Sequence, residues 1–192
     1  MPSPETKVKN GDARIFCANL PLAEESVQLL GEKMSVPEYL ELLINNERWI
    51  DAVQVLARMI PSREAIWWAS QCAANVCGQD TRPQELQAVR AAETWVTEMS
   101  ETTRYAAFEA AKKARLGSPA NCVAMAAFVA GPSLAPSGSP PIAPAADLAA
   151  QMVAGTVMAA GYFEGYEQSS DKLRYFLEQG RALYQQLAGQ NN

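Results

Sequence analysis

Apolar residues recur along this chain at spacings of three and four, and no segment alternates apolar with polar over more than a few positions. That period belongs to amphipathic helices rather than to half-buried strands. The first clear helix begins at Ser35, with Pro37 in its first turn and Glu38 three residues on, a capping-box pattern. Leu40, Leu43 and Ile44 form its apolar face, and Asn45-Asn46 closes it. A second helix is expected from Glu47 to Ile60, where Trp49, Val53, Leu56 and Ile60 stack on one side. Pro61 ends it and Ser62 is placed to cap a third, from about Arg63 to Val76, through Ile66, Ala69 and Cys72. With only Pro61-Ser62 between them, these two read as an αα-hairpin. A long helix then starts after Thr81 at Pro83, breaks near Ser100 and Thr103, and resumes to Lys113. Lys112, Lys113 and Arg115 sit where a helix C-terminus favours cations. A last amphipathic helix, about Ser170 to Leu187, carries Leu173, Phe176, Leu177, Leu183 and Tyr184, with Ser170 as its expected cap. The pattern therefore predicts an all-α fold of seven to eight helices, packed as antiparallel hairpins in one globular bundle. Residues 1–15 lack any period and read as a disordered lead-in, leaving 16–190 as a single domain with a proline-rich loop at 131–144.

One stretch departs from amphipathic patterning. The 48 residues from Leu116 to Phe163 carry a single charge, Asp147. They contain a short Ala/Val helix around Ala120 to Ala130, the loop rich in proline, glycine and serine, and an Ala-rich helix through Leu148, Met152, Val153, Val157 and Met158. A membrane hairpin is disfavoured, because each apolar helix falls short of the roughly 20 residues a bilayer crossing takes. Two readings stand side by side. Small residues such as Ala149, Ala150, Ala154 and Gly155 suit a central helix buried on all sides. The loop, with Leu134, Pro136, Pro140, Pro141 and Ile142, suits a docking segment, since proline preorders the chain toward polyproline II and little entropy is lost on binding.

Charge and composition remove whole classes of function. The net charge is −5 with no basic block, which argues against nucleic-acid binding, where clustered Lys and Arg must neutralise phosphates. Histidine is absent altogether, so triads and zinc motifs built on it are excluded. The four cysteines show no CxxC spacing, and Cys72 and Cys77 fall on different faces of a helix. They read as small buried hydrophobes rather than metal ligands. Free thiols, and a polar Met1–Gly11 without the apolar core of a secretory signal, point to the cytoplasm. Neither metal nor cofactor is implied.

Catalytic patterns are thin. Ser169-Ser170-Asp171-Lys172 matches Ser-x-x-Lys, but without the companion elements of serine acylases it fits a helix start better. No glycine-rich phosphate loop occurs. The chain is expected not to be an enzyme. Trp67-Trp68 is more informative: adjacent helical positions diverge by about 100°, so one ring enters the core while the other covers a neighbour or stays on the surface. Trp49 and Trp95 are expected in the core. Trp67, Trp68, Leu134, Pro136, Pro140, Pro141 and Ile142 are accordingly the candidate partner-binding residues.

Two segments together carry a resemblance. Pro61-Ser62-Arg63-Glu64-Ala65-Ile66-Trp67-Trp68-Ala69, followed by Cys72-Ala73, resembles the Pro-x-Arg-Glu-Ala-(Val/Ile)-Trp-Trp-Ala signature of a bacterial domain family of unknown function. Ala126-Ala127-Phe128, Gly131-Pro132-Ser133-Leu134-Ala135-Pro136 and the run to Pro144 are similar to its Ser-Leu-Ala-Pro proline loop. Here Pro132 stands where the family often has a second glycine, which stiffens the loop. The likeness spans roughly residues 35–165. It implies a neighbourhood of type VI secretion genes, near PAAR spike proteins, effectors and their chaperones, and hence a non-enzymatic adaptor or co-chaperone. Its partner would be a secreted effector or that effector's dedicated chaperone. The alternative is a helical scaffold or regulatory module with no role in secretion.

Overall fold

In the computed structural model, which describes residues 11–136 and 138–190, ten helices and no strand occur among the described residues. They are α1 (Ala13–Cys17), α2 (Glu24–Gln28), α3 (Val36–Asn45), α4 (Trp49–Met59), α5 (Ser62–Asn75), α6 (Pro83–Glu98), α7 (Glu101–Lys113), α8 (Pro119–Val129), α9 (Leu148–Gly161) and α10 (Ser169–Gln190). Eight of them have ten residues or more, and the two short ones, α1 and α2, are the pieces whose period is too brief to read.

Local chemistry sets the boundaries. Ser35 and Glu38 form the expected capping box, side chain to backbone in both directions. Ser100 and Thr103 form a second one, and Met99 before it turns left-handed at φ 47°, which separates α6 from α7 where the break was expected. Lys112 and Lys113 fall in the last turn of α7. Two expected caps differ. α5 starts at Ser62 itself with Pro61 in the cap position and no side-chain bond, because proline already holds the extended backbone that a cap needs. α10 starts at Ser169, where the Lys172 N–H reaches the Gln168 carbonyl, so Ser170 lies inside the helix. The disordered lead-in lies outside the described residues over 1–10 and is corrected over 11–15. There the Asp12 carboxylate accepts the Arg14 N–H, Ala13 is buried, and the Ala13 N–H bonds the Met34 carbonyl at 2.8 Å. Ala13, Phe16 and Cys17 are all buried at i, i+3 and i+4, one helical turn that is too short a run to read as a period.

The expected hairpin of α4 and α5 is not there. Ile60 and Pro61 are both extended, so the chain leaves α4 without reversing tightly, and α9 and α10 each pack against both helices instead. Consecutive packing does hold for α3 on α4, α5 on α6, α6 on α7, α7 on α8 and α8 on α9. The centre is α8, which touches α5, α6, α7 and α9 and buries Ala120, Val123, Ala124, Ala126, Ala127 and Phe128 around its circumference. Four neighbours leave no face for charge, which is why the sequence is uncharged there. α9 fits the all-sided reading less well: Val153, Ala154, Val157 and Ala160 are buried, while Gln151 is exposed. Trp68 and Trp95 are buried, whereas Trp49 is half-buried at the core's edge. No helix among the described residues is long and apolar enough to cross a membrane.

Polar residues inside are tied by name. Asp51 accepts the Ser26 hydroxyl and the Ala23 N–H, joining α4 to α2, and the Tyr39 hydroxyl reaches the Ser26 carbonyl at 2.7 Å. Half-buried Arg58 pairs with Asp147 at 3.1 Å although its Nη1 has no hydrogen-bond partner among the described residues, and nearer the surface Arg181 pairs with Glu41 at 2.9 Å. All four cysteines are free thiols, and burial pushes each of them up, Cys17 to about 11. Such thiols stay protonated and behave as apolar filler.

Candidate functional site

The loop between α8 and α9 is held at its base by one buried cation. Arg104, on α7, is only 2% exposed. Its Nε and Nη2 donate to the two Glu101 oxygens at 2.8 and 2.7 Å, and its Nη1 donates to the Phe128 carbonyl at 2.9 Å. That carbonyl lies at the end of α8, where helix oxygens lose their own partners. The guanidinium also lies 4.6 Å from the Tyr105 ring centre and 5.0 Å from that of Phe128, and Phe108 stacks on Phe128 at 4.3 Å. Hydrogen bonding to Arg104 lowers the Glu101 pKa and Glu101 raises that of Arg104, so the pair stays ionised. Gly131 lies so close that an added Cβ would stand 2.3 Å from the Arg104 Cδ. The glycine of the loop motif is there to admit an arginine.

From that base the loop closes on itself. The Leu134 N–H donates to the Ile142 carbonyl at 2.8 Å, and Ser133 Oγ accepts the N–H groups of Ala135 and Ile142 at 3.1 and 3.0 Å. The Tyr105 hydroxyl donates to the Ala135 carbonyl, and a turn runs from the Pro136 carbonyl to the Ser139 N–H through Gly138 at φ 85°. Prolines 132, 136, 140, 141 and 144 contribute no donors, so one serine hydroxyl and one main-chain bond close the loop. The five loop candidates then divide. Leu134 is half-buried beside buried Ala135 and helps hold the loop down, while Pro136, Pro140 and Pro141 are exposed and Ile142 is 60% exposed.

The tryptophan pair divides as well. Trp68 is 1% exposed, and its Nε1 donates to the Phe176 carbonyl of α10 at 3.0 Å. Trp67 is 46% exposed and lines a groove between α5 and α10 with Gln71, Gln179, Ala182 and Leu183. None of the loop residues lines that groove, so the seven candidates form two surfaces and one core residue, not one site. Arg104 and Tyr105 escaped the sequence reading, and Gly131 entered it only as part of the loop motif. The available signal was Arg104 itself, a cation four residues after Ser100 on the side of α7 that also carries Ala107, Phe108 and Ala111.

Ser169 and Lys172 show no catalytic pairing: the Ser169 hydroxyl donates to the Tyr166 carbonyl at 2.7 Å, and Lys172 reaches Glu164 at 3.5 Å. Among the described residues no group of three or more Cys, Asp or Glu gathers closely enough to hold a metal ion. Comparison with curated proteins and with solved structures finds no match. A model of the family of unknown function DUF6931 matches residues 39–184, which takes in both tryptophans, Arg104 and the whole proline loop, and the chain belongs to that family.

Proposed function

We propose that this chain is a non-enzymatic adaptor that binds a protein partner through the crest of its proline loop. The observation that carries this reading is a contrast within one segment. The base is locked by Arg104, Tyr105 and Ser133, while Pro136, Pro140, Pro141 and Ile142 stand outside with no cover. Apolar side chains held in a fixed exposed frame lose little entropy on docking, which favours recognition. Exposed Trp67 supports a second contact on the α5–α10 groove. The resemblance supplies the proposed partner, a type VI secretion effector or its dedicated chaperone. In that role the adaptor works in the cytoplasm, and its acidic surface keeps the complex soluble.

Co-expression with the products of neighbouring genes, purification through a tag and light scattering test this. A stable complex with a toxin or chaperone is expected, weakened at least about tenfold by Ile142→Asp. Ile142 is the variant of choice because Leu134→Asp would also loosen the loop. A monomer or homo-oligomer recovered alone would overturn the adaptor reading in favour of a helical scaffold. A complex indifferent to Ile142→Asp would remove the loop as its contact.

A further inference from the structure

A separate cavity of about 440 Å³ opens where the end of α5, the start of α6 and the α7–α8 turn meet. Its size lies within the range of small-molecule sites, and its apolar lining includes buried Val76 and Ala120 and half-exposed Phe163. The loop that edges it is fixed, since the Gly78 N–H bonds the Thr81 hydroxyl at 2.8 Å and the Thr81 N–H returns to the Gly78 carbonyl at 3.1 Å.

The charges at its wall are not equivalent. Glu85 is engaged on both oxygens: Ser118 Oγ donates to one at 2.6 Å, and the Arg115 main-chain N–H at 2.9 Å and the Arg82 guanidinium donate to the other. It has nothing to offer a ligand cation. The Arg115 side chain, in contrast, pairs with no acceptor among the described residues, and Arg82 spends one nitrogen on Glu85. The cavity therefore brings apolar side chains together with the guanidinium groups of Arg115 and Arg82 in one lining. Asp80 also lines the cavity without a partner among the described residues, and it repels any anionic ligand, a dianion about twice as strongly as a monoanion.

We propose that this cavity binds a small monocarboxylate with an apolar body, the carboxylate held by Arg115 and Arg82 and the body laid on Val76, Ala120 and Phe163. A guanidinium takes a carboxylate by two parallel N–H···O bonds, and an apolar chain gains by leaving water. The site is distinct from the proline loop and stands whether or not that loop binds a protein.

Amide chemical shifts of the full chain, titrated with octanoate, test it. Octanoate is expected to shift Cys77, Gly78 and Ala120 saturably, and octanamide to bind roughly tenfold more weakly for want of the charge. Arg115→Gln should bring octanoate down to the level of octanamide. Because Arg115 holds Glu85 through its main chain, that variant should keep the wild-type helicity and thermal midpoint. Three results would overturn the proposal: no saturable shift around the cavity at millimolar octanoate, equal binding of acid and amide, or unchanged binding in Arg115→Gln. Tighter binding of octyl phosphate than of octanoate would overturn the monocarboxylate assignment.

Discussion

Gly180 shows how one side chain's needs dictate another's absence. Trp68 reaches across to donate to the Phe176 carbonyl, one turn before Gly180 on α10, and its ring then lies flat where a Cβ at 180 would be. That Cβ would stand 2.6 Å from the Trp68 Cε2 and 3.0 Å from the Leu56 Cδ2. An indole held by its own hydrogen bond cannot step aside as a flexible chain end would. Gly180→Ala should therefore destabilise the fold by about 1–3 kcal/mol, although alanine is the better helix former by about 1 kcal/mol. Urea unfolding followed by tryptophan fluorescence measures it, and a variant as stable as wild type would show that the ring has room to move. Gly131 poses the same case more tightly: a Cβ there would stand 2.3 Å from the Cδ and 2.4 Å from the Nε of Arg104, whose guanidinium is held by its own hydrogen bonds.

Arg104 acts on a whole element, since the loop has no other buried charge to fasten it. Lysine at 104 keeps the charge but has neither the fork that spans both Glu101 oxygens nor the nitrogen left over for the Phe128 carbonyl. Arg104→Lys should free the loop while α8 persists. Hydrogen exchange at Leu134 and Ile142, both bonded across the loop's neck, should accelerate at least about tenfold, with Val123 and Ala124 little changed. Equal acceleration at all four would mean that Arg104 holds the core and not the loop. This element also marks where sequence reading stops. Capping and three-four spacing located six of the eight long helices because both signals are local, while α8 and α9 were marked by an uncharged, alanine-rich composition. The contact of Arg104 with Gly131 joins residues far apart in sequence and leaves no period. The missing α4–α5 hairpin failed for a related reason: two extended residues at 60 and 61 decide the direction, and what fills the gap is α9, some ninety positions on. The exposed crest of the loop was legible because proline has the same meaning in any context.

Glu85 couples the parts of the molecule that no single helix controls. Its carboxylate accepts from Arg82 before α6, from the Arg115 N–H in the α7–α8 turn and from Ser118, which caps central α8. Burial by itself would raise its pKa, but the Ser118, Arg115 and Arg82 donors together outweigh it and leave the group below its ordinary value of 4.5. The unfolded chain therefore takes up this proton more readily than the native one. The stabilisation is complete above the ordinary carboxylate range and is lost as pH falls through the depressed native value. Glu38 and Glu101 shift in the same direction, but both lie near the surface and their donors are local to one helix. Glu85→Gln isolates the buried group: it should lower stability at neutral pH by about 1–3 kcal/mol, since three donors then face an amide. The gap to wild type should narrow as pH drops from about 5 to about 3, because wild type is losing what the variant never had. Chemical denaturation at each pH reads this directly. Parallel curves would assign the acid sensitivity to the surface carboxylates, whereas converging curves would make one buried carboxylate the group through which pH acts on the junction of α6, α7 and α8.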